Sequence, residues 1–104
     1  MPGFGPCGPV IATADSVDPD RGMKIRSYVN GELRQDGTTA DMIFRCSEIV
    51  SYASRYIRLE PGDLIFTGTP AGVALEDPEA KWLKPGDLVE VEIEGIGRLV
   101  NRMV

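Results

Sequence analysis

The stretch Lys24-Ile25-Arg26-Ser27-Tyr28-Val29-Asn30-Gly31-Glu32-Leu33-Arg34-Gln35 decides the fold class. Asn-Gly supplies the positive φ values of a type I′ turn, the strongest short-range hairpin signal. Residues 24 to 29 lead into the turn and residues 32 to 35 lead out of it. Asp36-Gly37-Thr38-Thr39 ends the hairpin.

On the C-terminal side, Met42-Ile43-Phe44 is a short apolar patch with no clear period. From Ser47 the pattern turns helical. Ile49, Val50, Ala53, Tyr56 and Ile57 share one helical face, which predicts a helix over 47–58 with that stripe in the core. Ser47 suits the N-cap, Glu48 the first turn, and Arg55 and Arg58 the last. Leu59-Glu-Pro-Gly-Asp-Leu64 is then echoed by Leu83-Lys-Pro-Gly-Asp-Leu88. Pro followed by Gly suits the centre of a type II turn. Each copy predicts a strand after it, Leu64–Thr67 and Leu88–Glu94. Gly95-Ile96-Gly97 turns the chain into a last strand over 98–104. On the N-terminal side, Val10–Ala14 reads as a short strand. Residues 2–9 and 15–22 read as loops. The fold class is mainly β (α+β) with one principal helix.

Composition bounds the chemistry. The 104 residues include 12 Gly and 8 Pro, so turns are many and elements short. A hydrophobic share of 42% is that of a folded chain. Histidine is absent, which excludes a Ser-His-Asp triad, a Cys-His dyad and a His-ligated zinc. A general base must be a carboxylate, lysine, tyrosine or cysteine. The net charge is −5 and the basic residues form no stripe, which argues against nucleic acid and an anionic membrane as partners. No apolar run reaches the length of a membrane span. The N-terminus lacks a signal-peptide pattern. Cys7 and Cys46 form no CxxC, and two free thiols in the cytoplasm are expected.

Four motifs compete for a functional role. Gly3-x-Gly5-x-x-Gly8 has the letters of a dinucleotide fingerprint but lacks the strand before and the helix after, so it reads as a plain loop. Glu90-x-Glu92-x-Glu94 puts three carboxylates on one strand face; this suits a hard cation or, more simply, a solvated face. Cys46 beside the helix start is a candidate for a lowered pKa, with a buried inert thiol the simpler reading. Thr67-Gly68-Thr69-Pro70-Ala71-Gly72-Val73 follows an apolar run and offers two hydroxyls, exposed backbone N–H groups and glycines that let a ligand approach. Such a loop suits a carboxylate or a phosphate.

Several segments together resemble one family. Pro2-Gly-Phe-Gly-Pro-Cys-Gly-Pro9, Val29-Asn-Gly-Glu-Leu-Arg-Gln-Asp-Gly37, Asp41-Met-Ile-Phe44, Leu59 to Val73, Leu83-Lys-Pro-Gly-Asp87 and Val91-Glu-Ile-Glu-Gly95 occur in this order. That arrangement resembles the fumarylacetoacetate hydrolase family, near its bacterial diketo-acid hydrolase and 2-hydroxyhepta-2,4-diene-1,7-dioate isomerase branch. The resemblance covers nearly the whole chain, and residues 59 to 73 carry it most specifically. It implies a β-roll, assembled as homodimers or higher oligomers. It implies metal-dependent hydrolysis, isomerisation or decarboxylation of small 2-oxo carboxylic acids, of the kind met in aromatic catabolism. Mg²⁺ or Mn²⁺ would chelate the substrate's oxo-carboxylate end as a Lewis acid.

In the family the metal ligands, a Glu-x-Glu pair and an Asp, precede the loop at which this chain begins, as does a site lysine. The resemblance therefore implies that residues 1–104 are the C-terminal portion of a catalytic domain and hold none of the metal ligands. Glu90 and Glu92 match a later strand, not that pair. Thr69 would bind the substrate's carboxylate end, with Gly68 and Gly72 shaping its loop. Gln35 and Asp41 fall in family-like segments and are weaker candidates, each equally read as a local hydrogen-bonding residue. Alone, the chain is expected to be catalytically inactive. The alternatives are one half of a split enzyme, or a non-enzymatic β-roll module for self- or partner association.

Overall fold

A computed structural model describes residues 3–76 and 78–104. The hairpin is present, with β1 at Lys24–Val29 and β2 at Glu32–Thr38. Asn30 and Gly31 take φ values of 52° and 80°, the left-handed pair that a type I′ turn needs. Val29 pairs with Glu32 and Tyr28 with Leu33, but Ser27 pairs with Gln35. Arg34 is therefore the extra residue of a β-bulge. Directly opposed residues share a face, so the bulge puts Gln35, rather than Arg34, beside Ser27.

Strands β3 (Leu88–Ile93) and β4 (Gly97–Arg102) complete one antiparallel sheet in the order β2-β1-β3-β4. Strand β1 pairs on its second edge with β3, from Ile25 opposite Ile93 to Val29 opposite Val89. The register puts Ile25, Val29, Val89, Val91, Ile93 and Leu99 on the same face as Ser27 and Gln35. The other face is charged. Arg98 donates to Glu90 at 2.9 Å and to Glu92 at 2.5 Å, and its guanidinium lies 5.0 Å from the Tyr28 ring centre. The carboxylate row is thus not a simple solvated face: the Glu90 side chain is 15% exposed. Nor does it hold a cation, because Arg98 occupies two of its members, and no cluster of three or more metal-binding side chains exists among the described residues.

The helix is shorter than its apolar period. Helix α1 spans Cys46–Ala53, and the chain continues as turns in which Tyr56 and Ile57 donate to the Ala53 carbonyl. Ser47 is not the N-cap; Arg45 is. The free N–H groups of the first turn go to two carboxylates. Arg45 N–H donates to Glu48 at 2.8 Å, and Cys46 N–H donates to Asp20 at 2.8 Å. Asp20 lies in a one-turn 3₁₀ helix, Pro19–Arg21, within the predicted loop. The Ser47 hydroxyl, then the Cys46 and Ser47 N–H groups, hold its carboxyl below the usual aspartate range.

Two predicted strands are absent. Residues 10–14 and 64–67 are irregular, with Ile11 91% and Phe66 82% exposed. Their apolar character is real, but neither pairs with a strand among the described residues. The helical stripe is likewise not a core: Val50, Tyr56 and Ile57 are exposed, Ile49 and Ala53 are half-buried, and no described residue is fully buried. The accessible surface is 8368 Å², against about 5,700 Å² for a compact chain of this mass. No helix among the described residues is long and apolar enough to cross a membrane.

Replacing Asp20 by Ala is expected to speed amide exchange at Cys46 and Ser47 while β1 and β3 stay protected. Because the carboxyl is depressed in the folded state, its contribution is present above the unfolded pKa and is lost as pH falls through the folded one. Amide exchange followed down an acid titration should therefore show α1 fraying in the native chain, with no such pH dependence in Asp20→Ala.

Candidate functional site

The Thr67–Val73 loop lies over β2, and its seat is made by absent side chains. A Cβ added at Gly37 would stand 2.8 Å from the Pro70 Cβ, so only glycine lets the loop approach. A Cβ at Gly72, where φ is +98°, would stand 2.7 Å from the Arg34 carbonyl oxygen. Gly68 has φ +95° but open space around it. The two glycines therefore shape the loop differently: Gly72 permits contact with β2, and Gly68 permits a left-handed bend.

Gln35 fastens the loop. Its Nε2 donates to Thr69 Oγ1 at 2.8 Å and to the Pro70 carbonyl at 2.9 Å. Its Oε1 accepts from Ser27 Oγ at 2.8 Å. Thr69 Oγ1 also donates to its neighbour's carbonyl, Pro70 O, at 3.2 Å. Gly72 N–H donates to Glu76, in the 3₁₀ turn Ala74–Glu76, at 3.2 Å. Thr69 itself is exposed, whereas Gln35 and Ser27 are half-buried.

Of the residues singled out in the sequence, the fold brings together Thr69, Gly72 and Gln35. Asp41 is instead on the exposed turn Thr39–Asp41. Cys46 does not have a lowered pKa: burial, then the neighbouring Asp20 charge, push its thiol up. Both thiols are free. Ser27 and Glu76 also belong to the loop's support and carry no motif of their own, while Gly37 and Pro70 lie in quoted segments without having been singled out. The signal for Ser27 is the bulge, which sequence alternation does not show. A hollow of about 420 Å³ lies elsewhere, beside Asp15, Asp18 and Arg21; it includes neither Thr69 nor Gln35, so volume does not mark the site.

Chemically the loop presents polar groups rather than a reactive one. It offers a hydroxyl held by a neutral amide; the carboxylate that the loop does hold, Glu76, accepts from Gly72 N–H rather than from Thr69. Mg²⁺ or Mn²⁺ takes several oxygen ligands, carboxylates among them. The carbonyls of Pro70 and Ala71 already face the Gln35 amide, and Glu76 is held by Gly72 N–H. The described residues therefore do not fit a divalent cation.

The family model for the fumarylacetoacetate (FAA) hydrolase C-terminal region matches residues 1–104. The chain belongs to this family. It is 48% identical over 102 residues to a 4-hydroxyphenylacetate degradation bifunctional isomerase/decarboxylase of Salmonella dublin, covering 98% of this chain and 22% of the relative. It superposes on a fumarylacetoacetate hydrolase from psychrophilic Exiguobacterium antarcticum with a TM-score of 0.94 and 46% identity, over 99% of this chain and 37% of the other. A maleylpyruvate hydrolase of Sphingobium sp. SYK-6, solved in complex with manganese(II) ion and pyruvate, matches with a TM-score of 0.81 and 32% identity, over 93% and 34% of the two chains. The chain thus spans well under half the length of these relatives. The β-roll class is the family's, and family members include hydrolases, isomerases and decarboxylases.

Gly72→Ala is expected to destabilise by about 1–3 kcal/mol, since it combines backbone strain with a clash. Gly68→Ala meets no neighbour and should cost about 1–2 kcal/mol from φ alone. Urea midpoints of the two variants check the order.

Proposed function

We propose that this chain supplies the substrate-side loop of an enzyme acting on small 2-oxo carboxylic acids. Thr69 binds the carboxylate end, and Gly68 and Gly72 shape the loop around it. The observation that carries this reading is the exposed Thr69, whose hydroxyl accepts from Gln35 and donates only across a long 3.2 Å contact to Pro70 O. Hydrolysis, isomerisation and decarboxylation of such acids all place charge on an enol oxygen next to the carboxylate. A fixed donor on that carboxylate holds the substrate while the charge develops, which lowers the entropic part of the barrier. A divalent metal would supply Lewis-acid stabilisation of that oxygen. Its ligands lie outside the described residues of this chain, which form the C-terminal portion of the catalytic unit. Two unpaired thiols suit a reducing compartment, and on that ground we place the chain in the cytoplasm.

The test is pyruvate binding, followed by backbone amide shifts in the loop. The native chain should respond at residues 68–72, and Thr69→Ala should weaken binding by about tenfold, the worth of one charge-assisted hydrogen bond. Mg²⁺ with oxaloacetate or an acylpyruvate should give no turnover with the purified chain. A chelator should leave its melting temperature unchanged. Turnover by the 104 residues alone would overturn the assignment of the metal ligands to other residues.

A second reading rests on the exposed apolar surface. Edge strands and apolar patches of this extent are usually covered, and a second copy of the chain would cover them. Sedimentation equilibrium over a concentration series should then show a dimer or larger species, unaffected by Thr69→Ala. A monomer throughout would exclude it.

A further inference from the structure

We infer that Ser27 and Gln35 are positioning residues that set the polarity of Thr69, making its hydroxyl the loop's directed donor; this rests on the reading of the loop as a carboxylate subsite. A side-chain amide has one accepting end and one donating end. The Pro70 carbonyl can only accept, so the end of Gln35 that lies 2.9 Å from it is the NH₂. Rotating the amide would set oxygen against oxygen. At the opposite end, the Ser27 hydroxyl donates to Oε1 at 2.8 Å. The amide is thus held at both ends, and its orientation is fixed by chemistry.

That orientation decides what Thr69 can do. The same NH₂ donates to Thr69 Oγ1 at 2.8 Å, so the hydroxyl oxygen is already an acceptor. Its single proton remains, and in the structure it goes to Pro70 O over a longer 3.2 Å. An arriving carboxylate accepts only, and a bond to a charged acceptor is stronger than one to a carbonyl. The proton therefore transfers its allegiance to the ligand at little cost, while Gln35 holds the oxygen in place. Ser27 never touches the ligand. It acts through Gln35, and it reaches Gln35 only because the bulge at Arg34 sets residue 35 opposite residue 27.

The test compares Ser27→Ala with Ser27→Thr, which keeps the hydroxyl, in the full 104-residue chain. Two readouts are taken by nuclear magnetic resonance. The first is the Gln35 side-chain NH₂ pair. In Ser27→Ala these protons should move toward the shifts of a solvated amide and exchange with water about fivefold faster or more, as loss of one neutral hydrogen bond allows. The amides of β3 and β4 should hold their native positions. Ser27→Thr should restore the native pair. The second is pyruvate titration at residues 68–72, where Ser27→Ala should weaken binding by about fivefold and Ser27→Thr should not. A Ser27→Ala spectrum with native Gln35 resonances overturns the positioning role. Should the variant disturb the whole sheet, Gln35→Glu serves instead. It puts an oxygen toward Pro70 O, so the inference requires the Thr69 and Pro70 region to shift and pyruvate binding to fall; an unmoved loop overturns it. A native chain whose Gln35 pair responds to Ser27→Ala but whose loop ignores pyruvate overturns the carboxylate reading and leaves the positioning role standing.

Discussion

Asn30 joins the local and the distant halves of this structure. Its backbone makes the hairpin turn, and its side chain reaches across to the start of β3. The amide nitrogen donates to Asp87 at 2.9 Å, and the amide oxygen accepts from Leu88 N–H at 2.9 Å. Its own N–H donates to Leu88 O at 2.8 Å. Asp87 in turn accepts from Lys84 N–H at 2.8 Å, closing the Pro85-Gly86 turn. The two contacts hold the Asp87 carboxyl below its usual range, Asn30 first and Lys84 after it. One turn is thereby stapled to another, and β3 enters beside β1 in register. Since β4 pairs only with β3 among the described residues, the second half of the sheet inherits its placement from this contact.

The echoed Pro-Gly-Asp motif shows what a sequence can and cannot reveal. Both copies close alike: Asp63 and Asp87 each accept from the N–H three residues back, at 2.8 Å. Only the second launches a strand. The local code is the same, and the difference lies in a partner 57 residues away in the chain. For the same reason the hairpin, β3 and β4 were legible, being written in local turns and alternation. The bulge was not, because alternation alone does not mark where the β1–β2 register slips by one residue. Ser47 reads as a cap by its side chain, but Asp20 does that work from another segment. The Thr67–Val73 loop was legible as a candidate from residue chemistry, and Thr69 within it from the family resemblance. Gln35 was legible only as a place in a familiar segment, and Ser27 not at all.

The apolar pattern measures a need for cover, and it does not supply the cover. Tyr52, Tyr56, Leu64 and Phe66 carry the spacing and composition of buried residues, yet all are exposed. Burial stabilises by roughly 25 cal/mol per Å² of apolar area, and these side chains have not collected it. The sheet is different. Its two faces are half-covered, one by aliphatic side chains and the other by the Arg98 grip on Glu90 and Glu92. Cohesion within the chain therefore resides in strand pairing and charged contacts more than in a shared interior.

The close approach of Pro70 to Gly37 also bears on how such a loop changes over generations. The approach is between carbon atoms, so it carries no hydrogen bond and no charge. Exposed positions such as 69 and 71 are open to single substitutions that alter the groups the loop presents. Its seat is not open in that way: any side chain at 37 lifts residue 70, so the two positions are free to vary only together. Surface chemistry and placement are thus separately heritable, with the chemistry adjustable one residue at a time and the location held by a missing methyl group.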